Sequence, residues 1–217
     1  MKRTIITAVA MAVAATALLA MPAGASGQAT RANGCTIVGT KGDDTLMGTD
    51  GNDVICGLKG NDTIQGLQGD DIIKGGPGKD TLRGNKGDDR VIGGSRRDFI
   101  WGDGGNDVLR GGKGNDRIRG YLGQDRIRGN AGNDRIRGGA DDDVISGAAG
   151  DDYILGMGGN DTLIGGLGAD TLMGHAGDDW IDGRDGVNGN DFVGGAGGND
   201  TCGGDPGDEV KRCEVTL

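Results

Sequence analysis

The sequence predicts an all-β fold, a single-domain parallel β-solenoid, from three observations. The chain has 217 residues, of which 50 are glycine and only 3% are aromatic. From Gly39 to Asp182 it divides without a gap into sixteen blocks of nine residues, and three more blocks follow an insertion at residues 183–185. The eighth position of every block except the last two is Leu, Ile or Val. A chain this rich in glycine needs such a repeat to build a core.

Each block is predicted to be a turn followed by a short strand. Position 1 is glycine throughout, and position 4 is glycine except at Arg96 and Asp141. Position 6 is aspartate in every block but the last, Gly204 to Arg212, where it is Glu209. Position 5 is mostly Asn or Asp, which we interpret as residues that adopt a positive φ. Positions 7–9 are predicted to form a three-residue strand whose middle side chain points inward.

Two blocks make one predicted turn of the solenoid. Residues i and i+18 then stack about 4.8 Å apart in parallel sheets, and the repeat gives about nine turns. The position-8 residues of the two sheets meet in a thin aliphatic core. That core is too small to offset the entropy lost when so many residues are ordered. The stacked aspartates also repel one another, so we expect positive charge between the turns.

The loops of the repeat predict calcium as the source of that charge. Each G-x-x-G-[ND]-D loop offers backbone carbonyl oxygens and one carboxylate, and the next turn brings equivalent oxygens to the far side of a gap. Ca²⁺ accepts six or more oxygen ligands at about 2.3–2.6 Å, whereas Mg²⁺ prefers tighter octahedra and retains water. Zinc or copper would require His or thiolate ligands, which the loops do not supply. The predicted cofactor is therefore several Ca²⁺ ions.

The blocks resemble the RTX, or hemolysin-type, calcium-binding nonapeptide G-G-x-G-x-D-x-U-x. The resemblance covers residues 39–212 and implies a right-handed parallel β-roll with Ca²⁺ held between successive turns. Carried over residue by residue, it implies that the ligand carboxylates are those of Asp44, Asp53, Asp62, Asp71, Asp80, Asp89, Asp98, Asp107, Asp116, Asp125, Asp134, Asp143, Asp152, Asp161, Asp170, Asp179, Asp191 and Asp200.

Three departures from the repeat are expected to affect these sites. Arg96 and Arg97 replace the glycine and the Asn or Asp of one loop, so ions on either side of it should be weak or absent. Asp141 replaces glycine in another loop, which we expect to be distorted. The insertion at residues 183–185 shifts the frame, so we expect it to perturb the sites between block 174–182 and the later blocks.

The N-terminus has the features of a secretory signal peptide. Lys2 and Arg3 precede an apolar segment, and Ala23-Gly24-Ala25 is a cleavage site before Ser26. The alternative is an uncleaved anchor. No later segment is predicted to span a membrane, so the expected localisation is secreted and extracellular. The predicted organisation is a signal peptide at 1–25, an N-terminal cap at 26–38, the β-roll at 39–182, the insertion at 183–185, and three further blocks with a C-terminal cap at 186–217.

Export makes the four cysteines candidates for disulfides. The two ends of the solenoid would be roughly 40–45 Å apart, and a disulfide requires Cα atoms within about 7 Å. We therefore predict the pairs Cys35–Cys56 and Cys202–Cys213. In ideal register Cys35 and Cys56 would lie about 10 Å apart along the strand, so the N-terminal cap is expected to bend out of register.

The chain carries no recognisable catalytic machinery. The only histidine, His175, is a loop residue in the repeat, and no Ser-His or Cys-His arrangement is in register. The glycine patterns do not open a helix, so dinucleotide binding is not predicted. We predict neither an enzyme nor a nucleic-acid partner.

The outward-facing positions of the middle blocks are rich in arginine. Stacking of residues i and i+18 would place four arginines together, with two aromatic residues one turn away. One interpretation is that the charges keep an exposed sheet soluble. The other is a contact surface for an anionic glycan, cell wall or membrane. We predict a secreted protein that requires calcium to fold, with a calcium-dependent adhesive module as the alternative. The surface residues are Phe99, Trp101, Arg117, Arg119, Arg135 and Arg137.

Overall fold

The computed structural model describes residues 34–187 and 189–216 and has the predicted fold class. The chain winds through about ten turns, and each turn adds one strand to each of two parallel sheets. The predicted signal peptide at 1–25 lies outside the described residues, as does most of the predicted N-terminal cap. Within the described residues, no helix is long and apolar enough to cross a membrane.

In the part of the chain that the structure describes, 21 strands alternate between the two sheets. The strands are β1 Ile37–Val38, β2 Thr45–Met47, β3 Val54–Cys56, β4 Thr63–Gln68, β5 Ile72–Pro77, β6 Thr81–Lys86, β7 Arg90–Ser95, β8 Phe99–Gly104, β9 Val108–Lys113, β10 Arg117–Leu122, β11 Arg126–Ala131, β12 Arg135–Ala140, β13 Val144–Ala149, β14 Tyr153–Gly158, β15 Thr162–Leu167, β16 Thr171–Ala176, β17 Trp180–Asp182, β18 Phe192–Gly197, β19 Thr201–Gly203, β20 Glu209–Lys211 and β21 Val215–Thr216.

The stacking register is the predicted one. Odd-numbered strands form an 11-stranded sheet and even-numbered strands a 10-stranded sheet, in sequence order and all parallel. Ile118 pairs with Ile100 on one side and with Ile136 on the other, which is a step of one turn each way. The position-8 side chains are buried between the sheets and form one continuous core, as their inward direction predicts.

The strands are longer than predicted. Most run for six residues, from position 7 of one block to position 3 of the next, as in β10. The positive φ angles fall at positions 2 and 4, for example at Tyr121 (φ 87) and Gly123 (φ 105). The sequence-based assignment of positive φ to position 5 is therefore wrong. The chain bends at position 2 inside the strand and again at position 4 in the loop, which wraps it round the core.

Position 5 has a different role, because its side-chain oxygen joins neighbouring turns. The backbone N–H of Asn106 donates to Oδ1 of Asp88 at 2.7 Å, and that of Gln124 donates to Oδ1 of Asn106 at 2.8 Å. Asn and Asp recur at this position because each provides a short side chain with an acceptor oxygen. This exposed ladder runs along each edge of the solenoid.

The departures from the repeat do not break the fold. Arg96 and Asp141 adopt φ angles of 78° and 74°, on the same side as the glycines they replace. Strands on both sides of each residue keep their register. The expected distortion at Asp141 is therefore absent from the pairing. The loop before β18 accommodates the inserted residues, so Leu172 still pairs with Val193 and Ile181 with Cys202.

The register of the last block differs from its sequence frame. Val210 pairs with Val193, so Val210 occupies the core position that the frame assigned to Lys211. The physical reason is that an ammonium group cannot be buried without a partner in an apolar core, whereas a valine packs there. Asp208 consequently takes position 6 in place of Glu209.

Both predicted disulfides are present. Cys35–Cys56 has a Cα–Cα distance of 6.1 Å and Cys202–Cys213 one of 5.9 Å. Ile37 pairs with Ile55 in register, so the departure expected of the cap does not extend to Ile37. Among the described residues it is confined to the chain before Ile37, where Cys35 lies close to Cys56.

Candidate metal centre

A ladder of aspartates lies between the loops and the core. Each position-6 aspartate directly precedes a strand, and all eighteen predicted by the repeat are buried. Their Oδ1 atoms link successive turns: the N–H of Asp98 donates to Oδ1 of Asp116 at 2.8 Å, and the N–H of Asp116 donates to Oδ1 of Asp134 at 2.7 Å. Aspartate at position 6 therefore serves the fold itself, a role that the sequence analysis missed.

The second carboxylate oxygen of most of these aspartates has no hydrogen-bond partner. A buried acceptor without a donor is costly, and a charged one far more so. Because these aspartates are all buried in the same position of the repeat, the missing hydrogen bond recurs along the ladder. The unpartnered atoms are Oδ2 of Asp62, Asp71, Asp80, Asp89, Asp98, Asp107, Asp116, Asp125, Asp134, Asp143, Asp152, Asp161, Asp170, Asp179, Asp191 and Asp200.

Except at Asp191, each unpartnered oxygen approaches the backbone of the glycine at position 1 of its own block. A β-carbon added to Gly93 would lie 2.5 Å from Oδ2 of Asp98 and 2.6 Å from the carbonyl oxygen of Gly111 one turn further on. Only glycine fits there, and two acceptor oxygens flank the same point. Among the described residues, no group of three or more His, Cys, Asp or Glu converges on a possible metal position. Any cation there would therefore meet at most two such side chains and would take its other ligands from carbonyl oxygens, in agreement with the predicted cage of carboxylate and carbonyl oxygens from two adjacent loops.

The electrostatics of the ladder favour protonation or a bound cation. Loss of hydration on burial raises the pKa of Asp98 and Asp134 to about 8, and Coulombic repulsion from aspartates one turn away adds to the rise. The pKa of Asp107 and Asp125 rises to about 7, again chiefly through burial. In each case the N–H bond from the preceding turn opposes the rise. A positive ion beside Oδ2 would stabilise the charged form instead.

The comparison with known families agrees with this geometry. The model of the RTX calcium-binding nonapeptide repeat (4 copies) matches residues 36–64, 57–91, 83–118, 92–127, 119–154 and 155–188. The chain belongs to this RTX family. It is a calcium-binding repeat protein, and the row of buried oxygens is the part of its fold that suits the ion. No curated protein matches the chain.

The first two loops of the RTX ladder differ from the others. Oδ2 of Asp53 accepts hydrogen bonds from Thr49, at 2.7 Å from the backbone N–H and 2.9 Å from the hydroxyl. Oδ2 of Asp44 accepts in the same way from the N–H of Thr40 at 2.5 Å. The threonine hydroxyl at position 2 is a donor that the later loops lack. Asp44 and Asp53 therefore differ from the other sixteen candidate ligands in having a partner for Oδ2.

Two acids that the repeat frame missed end the RTX ladder. The N–H of Asp191 donates to Oδ1 of Asp208 at 3.2 Å, and the N–H of Asp200 donates to Oε2 of Glu214 at 3.1 Å. The sequence does contain a signal for Asp208, since an aliphatic residue, Val210, follows it at the usual two-residue spacing. Glu214 has no such signal, because no complete block surrounds it.

The RTX ladder is continuous where the sequence predicted interruptions. Across the insertion, the N–H of Asp170 donates to Oδ1 of Asp191 at 2.7 Å. The N–H of Asp80 donates to Oδ1 of Asp98 at 2.8 Å, beside the loop that contains Arg96 and Arg97. The Oδ1 bond is thus retained across the insertion, but the glycine contact is not, because nothing lies within 4 Å of a β-carbon added to Gly186. Perturbed ion sites at the insertion stay a prediction. Weaker ion binding beside the arginine loop stays a prediction.

The predicted surface residues come together on the even-numbered sheet. Arg117 lies between Phe99 and Arg135 in the register, and the Arg117 guanidinium carbon is 5.5 Å from the centre of the Phe99 ring. Trp101, Arg119 and Arg137 form the parallel row two residues further along the strands. These six residues are named the arginine–aromatic face.

Proposed function

We propose that this RTX protein is exported and that calcium binding drives its folding outside the cell. The observation that carries the proposal is the row of sixteen buried aspartate oxygens without hydrogen-bond donors. The hydrophobic core is one residue deep per block, and glycine makes the unfolded chain unusually costly to order. Cation binding is then part of the folding free energy.

The residues that would hold the ions are the position-6 aspartates with an unpartnered Oδ2. Each would contribute one carboxylate oxygen, and the glycine-rich loops of adjacent turns would contribute carbonyl oxygens. Bound calcium supplies positive charge that neutralises the aspartate ladder and satisfies its buried oxygens. The Oδ1 atoms keep their backbone N–H bonds, which hold each carboxylate in place. Calcium binding at Oδ2 would therefore leave the observed hydrogen bonds at Oδ1 unchanged.

Circular dichroism of the chain without residues 1–25 tests the coupling. We expect a coil-like spectrum in chelator and a β-rich spectrum after calcium is added, with a midpoint of about 10⁻⁴–10⁻³ M, as is typical of extracellular sites. Magnesium at the same concentration is the control and should have much less effect. A spectrum that is already β-rich in chelator would contradict the proposal.

The proposal that the protein is exported rests on separate observations and can be tested separately from calcium-driven folding. The basic residues, apolar segment and Ala23-Gly24-Ala25 site favour signal cleavage, and both cysteine pairs lie at disulfide distance. Mass spectrometry of protein collected from the culture medium should give an N-terminus at Ser26 and two intact disulfides. An intact N-terminus retained in the membrane fraction would support the anchor alternative.

A second function, calcium-dependent surface binding, is favoured by the arginine–aromatic face. Four exposed arginines lie side by side, and the ion pairs found in residues 34–187 and 189–216 involve none of them. The face exists only in the rolled chain, because its members come from different turns. We propose that it binds an anionic extracellular partner.

A further inference from the structure

The four arginines of the arginine–aromatic face repel one another in the folded chain. Arg117 lies directly beside Arg135, and Arg119 beside Arg137. Like charges opposite one another on neighbouring strands are destabilising. The Arg119 guanidinium donates to the hydroxyl of Tyr121 at 3.1 Å, which orients it without neutralising it. A bound anion would remove this repulsion, which gives the cluster an intrinsic preference for a ligand.

A groove beside these arginines follows the solenoid axis. Its strand wall carries Phe99, Arg117, Arg135 and Tyr153, one from each of four successive strands of the even-numbered sheet. Adjacent strands are about 4.8 Å apart, which is close to the length of one sugar unit in an extended polysaccharide. A linear ligand lying in the groove would therefore meet one of these side chains at each sugar.

Beside the arginines, the exposed position-5 side chains of the loop wall are not acidic, although the buried ladder carboxylates of Asp116 and Asp134 also line the groove. Its position-5 residues there are Arg97, Asn115 and Asn133, and the next member is Asp151. Arg97 has no side-chain oxygen, so it cannot join the position-5 ladder, and its side chain is exposed. The residue that departs from the repeat thus adds a fifth guanidinium to the groove. Its departure from the Asn or Asp pattern has a use in ligand binding.

Aromatic rings lie at both ends of the arginine rows. Phe99 and Trp101 are nearly parallel at one end, with ring centroids 6.2 Å apart and an interplanar angle of 16°. Tyr153 pairs with Arg135 at the other end and is 38% exposed, so its ring is accessible. Flat aromatic faces pack against sugar rings, whereas guanidinium groups bind carboxylates and sulfates in pairs of hydrogen bonds. The groove combines both chemistries in one line.

We propose that this groove binds a linear acidic polysaccharide, carrying carboxylate or sulfate groups, along the solenoid axis. The inference deepens the surface-binding function proposed above and rests on it. Arg117, Arg119, Arg135 and Arg137 bind the acidic groups, Arg97 binds at the edge, and the aromatic rings pack against sugars at the ends. A lipid surface is less suitable, because the aromatic rings line a groove with the arginines, and nothing in this face forms a continuous apolar patch.

The opposite sheet provides a matched control surface. It carries Arg90, Arg110, Arg126 and Arg128, which are also exposed. Arg110 pairs with Arg128, and the other strand neighbours of these arginines are aliphatic or small residues, without an aromatic ring. Replacing the four arginines of either sheet with serine removes the same charge. Any difference between the two variants then reports position and not net charge.

Isothermal titration with two hexasaccharides, one of uronic acid and one sulfated, tests the proposal in millimolar calcium. The variant R117S/R119S/R135S/R137S should bind at least about tenfold more weakly than the parent chain, and R97S about two- to threefold more weakly. Trp101→Ala should weaken binding without a change in charge. The control R90S/R110S/R126S/R128S should bind within about twofold of the parent. Comparison of the two glycans identifies the acidic group.

Several results would overturn the inference. They are equal losses in the two quadruple variants, no binding of either hexasaccharide, or binding of phosphatidylserine vesicles without binding of glycan. Circular dichroism of every variant in calcium confirms that the roll is intact. A chain that binds the glycan but folds without calcium would contradict the folding proposal and leave the groove standing, so the two failures are distinguishable.

Discussion

At the scale of single residues, each of the sixteen aspartates with an unpartnered Oδ2 divides its two oxygens between two tasks. Oδ1 accepts a backbone N–H from the preceding turn, and Oδ2 faces carbonyl oxygens without a donor. An asparagine could perform the first task, but its amide would donate to the carbonyls and would bring no charge. Aspartate is thus specifically suited to a cation, which separates it from the neutral alternatives at the same position.

Asparagine substitution tests that division. The triple variant D98N/D116N/D134N should keep the Oδ1 bonds, bind fewer calcium ions and depend less on calcium for its β-rich spectrum. The matched control D70N/D88N/D142N changes three exposed position-5 residues by the same charge and should bind calcium as the parent does. Equilibrium dialysis gives the ion count for both. Equal ion counts in the triple variant and the parent would exclude these carboxylates as ligands.

The raised pKa values predict a pH dependence of opposite sign with and without calcium. Without ions, burial raises the pKa of ladder aspartates from 3.8 to between about 6 and 8 in the folded chain. The folded state then binds more protons than the unfolded state, so the stabilisation by protons is complete below about pH 3.8 and is lost as the pH rises through about 6 to 8. With calcium present, protons compete with the ion and the calcium midpoint should rise as the pH falls.

Far-UV circular dichroism measures both trends. In chelator the β signal should be larger at pH 5 than at pH 8, whereas the calcium concentration needed at pH 5 should exceed that at pH 7.5. Sedimentation at each pH checks that the chain remains monomeric. A metal-free β signal that grows towards alkaline pH would show that the ladder carboxylates do not control folding.

At the scale of strands and loops, the last even-numbered strand, β20, shows how packing overrides a sequence frame. Moving the block by one residue places Val210 in the core and Asp208 on the ladder. Asp208→Ala removes an acceptor used by the backbone N–H groups of Asn190 and Asp191, whereas Glu209→Ala removes an exposed side chain and its surface ion pair with Lys211, which contributes little to stability. We expect the melting temperature in calcium to fall by about 2–6 °C for D208A and by less than about 1 °C for E209A. The reverse order in calorimetry would support the original frame.

The nine-residue repeat predicted most features of the strands and loops correctly. Spacing alone gave the core positions, the two-block turn and the buried aspartates, because each depends on a side chain that recurs every nine residues. The six-residue strands could not be found in the same way. Positions 2 and 3 vary in sequence, and at Tyr121 and Met157 non-glycine residues adopt positive φ inside a strand. Their extended pairing is determined by backbone bonds between turns, which leave no side-chain signature.

At the scale of the whole molecule, calcium bound along the aspartate ladder would change the net charge of the protein. Removal of residues 1–25 takes away Lys2 and Arg3 and no acid, so 21 basic and 33 acidic groups remain, a formal charge of −12. The sequence predicts this acidity and the stacking order. It does not contain the number of ions, because occupancy depends on cage geometry at each loop. The arginine–aromatic face likewise becomes one surface only when the turns stack.

Electrophoretic mobility of the chain without residues 1–25 tests the resulting charge reversal. Sixteen aspartates of the ladder have an Oδ2 atom without a hydrogen-bond partner. Even about eight bound calcium ions would add sixteen positive charges and change the formal charge from −12 to +4. The protein should therefore move towards the anode in chelator and towards the cathode in millimolar calcium, at equal ionic strength. Magnesium at the same concentration controls for loose association of counterions and should leave the mobility anodic. Because the proposed ions would lie inside the roll, their positive potential would extend over the arginine–aromatic face and strengthen its attraction for acidic partners. Anodic migration in saturating calcium, with the β-rich spectrum present, would mean that fewer than about six ions are bound and that most of the ladder folds without them.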